Sequence, residues 1–410
     1  MIGETSRADS LTAPQFAEYH CQRVQYTTGD VQWVPGTASF LSAGTKPNDE
    51  GIVQIYQLRD SRCHLVSSHS VPNGITCSTF VRDTHVALGD SDGFLSIFDV
   101  ERFDQPLFRV RAHAREGGRK CRVGAIDCVG GTMEGVGALE IVTGGSDGCV
   151  RVWDPRTRSP VLCLEPEDAK QRRDCWTVAF GGATSASERV LAAGFDNGDV
   201  KLACLRTSKL VWHSNARNGV CKVQFDRKDT ALNKLLVTTL ESRIRVYDLR
   251  TLHQQEGFAY TLWKAHSGTV WTAAHLPQNR DIFATCGGNG ELTIYKYKYP
   301  RERVIKDKQT GEKRGVPGTR SLLHFVVGAV SDTLAWTGTL QPVAGKADVA
   351  QQPIRSFAWH RDKCGLAVVA SFDQVCHPTV LHSLQISSLF SQTDTESANC
   401  DPLVQSLSTA

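Results

Sequence analysis

The stretch Gly144-Gly145-Ser146-Asp147-Gly148-Cys149-Val150-Arg151-Val152-Trp153-Asp154 predicts a strand, a tight turn and a second strand. An Asp-Gly pair supplies the positive φ of such a turn, and the alternation after it places every second side chain on one face of a sheet. The offset of six residues from Asp147 to Trp153 recurs at Glu50/Tyr56, Asp92/Phe98, Asp196/Leu202, Glu241/Tyr247 and Asn289/Tyr295, and a seventh turn lies at Asp373. Repeats of about 40–45 residues that carry Trp-Asp are typical of WD blades. The sequence therefore predicts an all-β protein, a seven-bladed WD-repeat β-propeller.

Each predicted blade begins with an innermost strand. The seven candidates lie at 31–33, 75–77, 123–126, 176–180, 220–223, 270–272 and 354–357. The segment 15–26 precedes the first of them, although the outer strand of a WD repeat comes last. We therefore expect this N-terminal segment to be the outer strand of the last blade, which would close the ring and remove its exposed edges.

The propeller is predicted to span residues 14–385, after a disordered N-terminus at 1–13. Asn289 and Asp373 are 84 residues apart, which is too long for one blade, so an insertion is expected at 297–352 between blades six and seven. The alternation expected after Gln374 is interrupted by Pro378, which cannot donate to a sheet ladder. The Ser/Thr-rich tail at 386–410 is predicted to be disordered.

Four polar or aromatic residues of the third blade match the side-chain hydrogen-bond chain of WD blades: His113, Thr143, Asp147 and Trp153. These residue types also occur in catalytic sites, but a buried histidine needs hydrogen-bond partners and the spacing is that of the fold. The prediction is a structural tetrad. Blade six carries a weaker version in His266, Thr285, Asn289 and Tyr295.

Composition argues for a protein of a reducing compartment. The net charge is +3, and no apolar run approaches the ~20 residues that span a bilayer. The first residues do not resemble a signal peptide. The fourteen cysteines include no pair with C-x-x-C spacing. Several fall in or beside apolar strands, namely Cys77, Cys128, Cys221 and Cys286. We therefore expect free buried thiols. We therefore expect a cytoplasmic location.

Motifs of catalysis are missing from the sequence. It contains no phosphate loop, no G-x-S-x-G and no H-E-x-x-H, so we expect no enzyme activity, no catalytic residue, no metal and no cofactor. The tyrosines and lysines of 296–299 could stack on single-stranded nucleic acid, yet they also suit a solvated loop. We therefore predict that the protein binds neither nucleic acid nor a membrane.

Two phrases suggest an alternative function. Trp153-Asp154-Pro155-Arg156 and Tyr247-Asp248-Leu249-Arg250 fit the W/Y-D-x-R pattern of WD proteins that dock on cullin-type ubiquitin ligases. The chain could accordingly be the substrate receptor of such a ligase. The pattern has low specificity, because a basic residue after Trp-Asp is common in other blades.

A partner-binding surface is predicted where the chain enters the innermost strands. Arg173, Asp174 and Trp176 combine charges with an aromatic ring at such an entry, and Trp271 has a similar place in blade six. Trp and Arg are frequent in binding hot spots. The candidate partner-binding residues are therefore Arg173, Asp174, Trp176 and Trp271, with Phe195 and Phe372 as weaker members. Packing of Trp176 between blades is the alternative.

Several stretches resemble the Monad family of WD-repeat axonemal dynein assembly factors. The most specific are 173–181, 196–202, 218–221, 225–229 and 275–280, and the likeness extends over about 31–374. It implies a non-enzymatic cytoplasmic adaptor in the preassembly of dynein arms, with a link to apoptosis. The implied partners are an AAA+ ATPase/TPR co-chaperone complex, a prefoldin-like complex and dynein-arm clients. The chain would act as a monomer within that larger assembly.

Overall fold

The computed structural model describes residues 16–60, 62–115, 120–131, 135–166, 171–185, 188–251, 257–299, 304–307, 313–315, 333–335, 338–372 and 379–386. Its strands are β1 (Phe16–Val24), β2 (Thr27–Trp33), β3 (Ser39–Thr45), β4 (Gly51–Arg59), β5 (Arg62–Val71), β6 (Ile75–Arg82), β7 (His85–Asp90), β8 (Phe94–Asp99), β9 (Phe108–Arg111), β10 (Val123–Val129), β11 (Glu140–Gly145), β12 (Val150–Trp153), β13 (Pro160–Leu164), β14 (Cys175–Gly181), β15 (Val190–Phe195), β16 (Asp199–Cys204), β17 (Lys209–Asn215), β18 (Val220–Phe225), β19 (Lys234–Thr239), β20 (Arg243–Asp248), β21 (Tyr260–Lys264), β22 (Val270–Leu276), β23 (Asn279–Gly287), β24 (Glu291–Lys298), β25 (Val304–Asp307), β26 (Lys313–Gly315), β27 (Thr333–Ala335), β28 (Thr339–Asp348), β29 (Ile354–Trp359), β30 (Leu366–Ser371) and β31 (Thr379–Ile386). No α-helix occurs in these residues.

The strands form repeated four-stranded antiparallel sheets, as in a β-propeller. From the inside outward, the four-stranded sheets of the described residues are sheet 1 (β2-β3-β4-β5), sheet 2 (β6-β7-β8-β9), sheet 3 (β10-β11-β12-β13), sheet 4 (β14-β15-β16-β17), sheet 5 (β18-β19-β20-β21), sheet 6 (β22-β23-β24-β28) and sheet 7 (β29-β30-β31-β1). A further, three-stranded sheet has the order β26-β25-β27. The seven predicted innermost strands lie in β2, β6, β10, β14, β18, β22 and β29. The predicted all-β, repeat-built fold is therefore confirmed.

Apolar side chains fill the spaces between neighbouring sheets. Every residue of β15, β19 and β30 is buried, because each of these second strands is covered on both faces. The innermost strands contact one another in sequence order, and β29 also contacts β2. Their side chains therefore line a central channel of about 550 Å³.

The turns between second and third strands use positive φ, as the sequence predicts. Gly148 has a φ of 80° and Gly198 one of 91°. Sheets 1 and 5 carry non-glycine residues there, Asp49 at 65° and Ser242 at 61°. An aspartate tolerates this backbone better than most residues, since its short side chain bonds locally.

The insertion lies elsewhere than predicted. Tyr297 and Lys298 belong to β24, and β24 pairs with β28, which follows the insertion. The extra residues therefore interrupt sheet 6 before its outer strand and do not separate two blades. Pro342 lies within β28, where the outer position of the strand makes a missing N–H tolerable.

The N-terminal strand completes sheet 7. β1 pairs antiparallel with β31, from Phe16 opposite Ile386 to Val24 opposite Thr379. Segment 15–26 thus contributes an outer strand to the sheet that begins with β29. Ile386, which the prediction gave to the tail, belongs to β31. The predicted turn at Asp373, the stretch 375–378, and the ends 1–13 and 387–410 lie outside the described residues.

Candidate partner-binding site at the mouth of the central channel

The same irregularity occurs in all seven innermost strands. Each pairs with the second strand of its sheet through a register shift that skips one residue. The skipped residue is the third of the strand in β2 and the second in the other six. Such β-bulges redirect a side chain and are frequent next to functional sites. The skipped residues all line the channel, and we call them the bulge ring: Gly29, Thr76, Gly124, Trp176, Cys221, Trp271 and Arg355.

The bulge ring lies where the innermost strands begin, and we call this end of the channel the mouth. Its two halves differ in size and chemistry. Gly29 and Gly124 are small for a physical reason, since an added Cβ would lie 2.2 Å and 2.5 Å from a carbonyl oxygen of the next sheet. Sheets 4, 6 and 7 instead contribute Trp176, Trp271 and Arg355, each half-buried. The mouth therefore carries aromatic and cationic side chains on one side and two glycines on the other.

Trp176 both packs between sheets and lines the channel, which are the two alternatives that the sequence left open. Its ring packs on Gly219 at the entry to sheet 5, where an added Cβ would lie 2.9 Å from the ring. The rest of the half-buried side chain lines the channel. The indole N–H is buried without a hydrogen-bond partner among the described residues. Trp176 is thus a packing residue and a channel residue.

The charged neighbours of Trp176 connect sheets 3 and 4. Asp174 forms an ion pair of 2.7 Å with Arg115, and the Arg115 guanidinium also donates through Nε to the carbonyl of Ser146 at 2.9 Å. Arg173 is exposed. The sequence pattern did not identify Arg115, because 59 residues separate it from Asp174.

The predicted exposure of Phe195 is wrong. Phe195 is only 5% exposed and packs between sheets 3 and 4, because its position in β15 directs the ring into that core. Lys201 Nζ lies 4.9 Å from the centre of the ring and covers it. Phe372 is half-buried, and its backbone N–H donates to the carbonyl of Pro353 at 3.0 Å.

The residues of the third-blade tetrad form one buried hydrogen-bond chain. His113 Nδ1 lies 2.9 Å from Asp147 Oδ1, and His113 Nε2 lies 2.9 Å from Thr143 Oγ1. Trp153 Nε1 donates to the same Thr143 oxygen at 2.9 Å. Burial lowers the pKa of His113. Burial alone would raise the pKa of Asp147, but His113 and Arg151 hold it well below its usual range. These hydrogen bonds join the loop before β10 to β11, to the turn after β11 and to β12, and all four side chains are buried.

The corresponding group of sheet 6 differs from the prediction. His266 Nε2 does lie 2.8 Å from Thr285 Oγ1, but Nδ1 faces Glu291 Oε2 at 3.4 Å. Asn289 donates to Ser267 Oγ, and Tyr295 donates to the carbonyl of Ala265. Tyr295 thus bonds outside the predicted group, and Glu291, an acidic residue after the turn, joins His266.

The tyrosines at the start of the insertion are engaged within the fold. Tyr297 is buried, and its hydroxyl accepts the N–H of Gly338 at 2.9 Å. The Tyr299 hydroxyl donates to Asp281 at 2.6 Å and accepts from Asn233 at 2.8 Å. Both rings are thus held by neighbouring strands, and the arrangement favours the structural interpretation over base stacking.

The two W/Y-D-x-R arginines follow third strands. Arg156 forks onto Asp154 of the same turn, with Nε 2.9 Å from Oδ1, and its guanidinium is exposed. The backbone N–H of Arg250 donates to Asp248 at 3.1 Å. These contacts are those of local turns, and they do not favour docking on a ligase over a purely structural role.

The described part of the chain has no group of three or more His, Cys, Asp and Glu side chains placed to hold a metal ion. Nor does any helix in it have the length and apolar character needed to cross a bilayer. Cys77, Cys128 and Cys286 are buried free thiols, and Cys221 is half-buried in the bulge ring.

Three relatives match the chain over nearly its whole length, and each is named dynein axonemal assembly factor 10. The protein of Xenopus laevis is 40% identical over 379 residues, which covers 91% of this chain and 98% of the relative. That of Homo sapiens is 40% identical over 90% and 98%. That of Chlamydomonas reinhardtii is 39% identical over 92% and 99%. No family model matches the chain.

Proposed function

The chain belongs to the dynein axonemal assembly factor 10 family, and from that premise we propose that it is a non-enzymatic scaffold in the assembly of axonemal dyneins. The observation that carries the proposal is the span of the similarity, which reaches 98% or more of each relative. The whole length of the assembly factor thus has a counterpart here.

The test is replacement of the Chlamydomonas reinhardtii relative by this chain. In cells that lack their own protein, we expect expression of this chain to restore dynein heavy chains to isolated axonemes, measured by quantitative mass spectrometry. A scaffold must fold to act, so soluble accumulation of the chain in the same cells is the control. Soluble chain with no recovery of axonemal dynein would contradict the proposal.

We further propose that the sheets are the blades of a seven-bladed ring that is closed between β1 and β31. The contact of β29 with β2 and the continuous pairing of the N-terminal strand support closure. A closed ring leaves no unpaired inner edge and gives loops at its faces a rigid support. Rigid support favours the binding of several proteins at once.

The proposed partners are an AAA+ ATPase/TPR co-chaperone complex, a prefoldin-like complex and dynein-arm clients, met in the cytoplasm. The proposed contact surface is the mouth, with Arg173, Asp174, Trp176 and Trp271. Their support is the combination of half-buried aromatic rings and exposed charge at one end of the channel.

Affinity purification of the full chain from ciliated cells tests this set of partners. We expect AAA+ ATPases among the recovered proteins, and a loss of them with Trp271→Ala at an unchanged melting temperature. Arg156→Ala together with Arg250→Ala serves as the matched control, since both residues lie at turns after third strands, away from the mouth. Recovery of a cullin adaptor without AAA+ ATPases would instead favour the ligase receptor.

A further inference from the structure

Two cations at the mouth lack a protein partner. Arg355 and Lys222 both line the channel, and neither side chain forms a hydrogen bond or an ion pair with another described residue. Other channel cations behave differently: Lys228 pairs with Asp127, and Arg227 pairs with Asp229. At the end of the channel where the bulge ring lies, the side chains of Arg355 and Lys222 thus have no ion-pair partner among the described residues.

The nearby carboxylate of Asp30 is occupied by neutral donors. It accepts hydrogen bonds from Ser78 N at 2.8 Å, Ser78 Oγ at 2.9 Å, Ser356 Oγ at 2.6 Å and Val31 N at 2.9 Å. Asp30 is close enough to Arg355 to counteract part of the effect of burial on its pKa. Arg122 adds a further positive charge that acts on Arg355, so positive charge exceeds negative charge around this guanidinium.

The thiols beside these cations do not supply the missing negative charge. Burial raises the pKa of Cys77 to about 12 and that of Cys221 to about 12. Both thiols are consequently neutral at physiological pH. Burial also lowers the pKa of Arg355, so the environment opposes its charge. A half-buried cation without a partner costs stability, and such costs are typical of binding sites.

Aromatic and small residues surround the cations. Sheet 6 places Trp271 next to Arg355 of sheet 7 in the order of the bulge ring, and Trp176 lies two sheets before Trp271. The opposite side carries Gly29 and Gly124, which pack against carbonyl oxygens of the next sheet and add no side chain to the channel. A channel of about 550 Å³ has the size of sites that enclose small ligands or a few residues of peptide.

We propose that the mouth binds a short acidic segment of a partner protein. One carboxylate of the segment pairs with Arg355 and Lys222, and a neighbouring apolar side chain lies on Trp271 and Trp176. A carboxylate supplies the negative charge that Arg355 and Lys222 lack, through charge-assisted hydrogen bonds. The inference rests on the proposed scaffold function and gives the chemistry of its partner.

The test uses a phage-displayed library of random 12-residue peptides that is panned against the full chain. We expect the selected peptides to be enriched in Asp and Glu next to an apolar residue. Synthetic copies with a fluorescent label then give Kd by anisotropy. Because the contact is charge-assisted, binding should weaken as salt rises.

Arg355→Met and Lys222→Met keep an unbranched apolar side chain but remove the charge. Each is expected to weaken the selected peptides by at least about tenfold, which corresponds to about 1.4 kcal/mol. Lys264→Met is the matched control, an exposed cation in the outer strand of sheet 5, and should stay within about twofold. Arg355→Met should melt at or above the wild-type temperature, because it removes an unpaired charge. If Arg355→Met does not fold, Lys222→Met carries the test alone.

Three results would overturn the inference. They are a selection without acidic enrichment, equal binding by the charge-removed variants, and tenfold tighter binding when phosphoserine replaces the acidic residue. The panning needs no dynein, so its outcome is separate from the replacement experiment in Chlamydomonas. Failed peptide binding with restored axonemal dynein would reject the acidic-segment site and leave the scaffold function standing.

Discussion

At the scale of single residues, the tetrad of sheet 3 depends on one hydroxyl. Thr143 Oγ1 contacts both His113 and Trp153, so Thr143→Val leaves two buried polar groups without a partner. We expect it to lower the free energy of unfolding by roughly 2–4 kcal/mol, measured by urea denaturation. The control is Thr285→Val in sheet 6, which removes the partner of one ring nitrogen, His266 Nε2, and a long contact of 3.5 Å to the Thr293 carbonyl. It should cost roughly 1–2 kcal/mol. Equal losses for both variants would contradict the proposed network.

A buried histidine gives the chain a dependence on pH. Burial lowers the pKa of His275 to about 4, against an ordinary value near 6.5. A depressed pKa contributes stability that is fully present above about pH 6.5 and is lost as pH falls towards 4, by up to roughly 3 kcal/mol. We expect His275→Gln to flatten the unfolding free energy in this window. The exposed His64→Gln should leave the slope as in the wild type; an unchanged slope for His275→Gln would exclude this origin.

At the scale of elements, the entry into an innermost strand limits the choice of residue. A Cβ at Gly219 would lie 2.9 Å from the Trp176 ring and 2.9 Å from the carbonyl oxygen of Asp196. The ring can shift but the backbone cannot, so Gly219→Ala should destabilise the chain by roughly 1–3 kcal/mol. Gly268 precedes the innermost strand of sheet 6 and has open space, with the nearest atom at 4.0 Å. Gly268→Ala should therefore change the melting temperature little, and a similar loss in both variants would contradict this explanation.

At the scale of the whole molecule, stability is expected to depend on the junction of the chain ends. Deletion of residues 1–25 removes β1 and leaves the outer edge of β31 unpaired. An uncovered edge promotes association, so we expect a lower melting temperature and oligomers in size-exclusion chromatography. Deletion of residues 1–13 keeps β1 and should leave both properties unchanged. A monomeric chain with a normal melting temperature after the longer deletion would argue against closure.

Features that depend on local chemistry could be predicted from the sequence. The turns at Asp147 and Asp196, and the alternation after them, located the strands, because positive φ and a period of two are properties of neighbouring residues. The specific stretches around 173–181 and 275–280 identified the family, and this prediction is confirmed by relatives of about 40% identity. The four tetrad residues were found because their spacing follows the blade.

Which side chains face the channel could be seen in the tertiary structure alone. The bulge ring joins residues from seven distant segments, and a register shift, which no local pattern encodes, directs their side chains. Aligning the innermost strands would have placed Arg355 with Trp176 and Trp271. Phe195 looked exposed beside its turn but is buried by sheet 3, and the insertion interrupts sheet 6 because β28 pairs with β24. Burial and pairing depend on the partner strand, and the partner is set by the assembled fold.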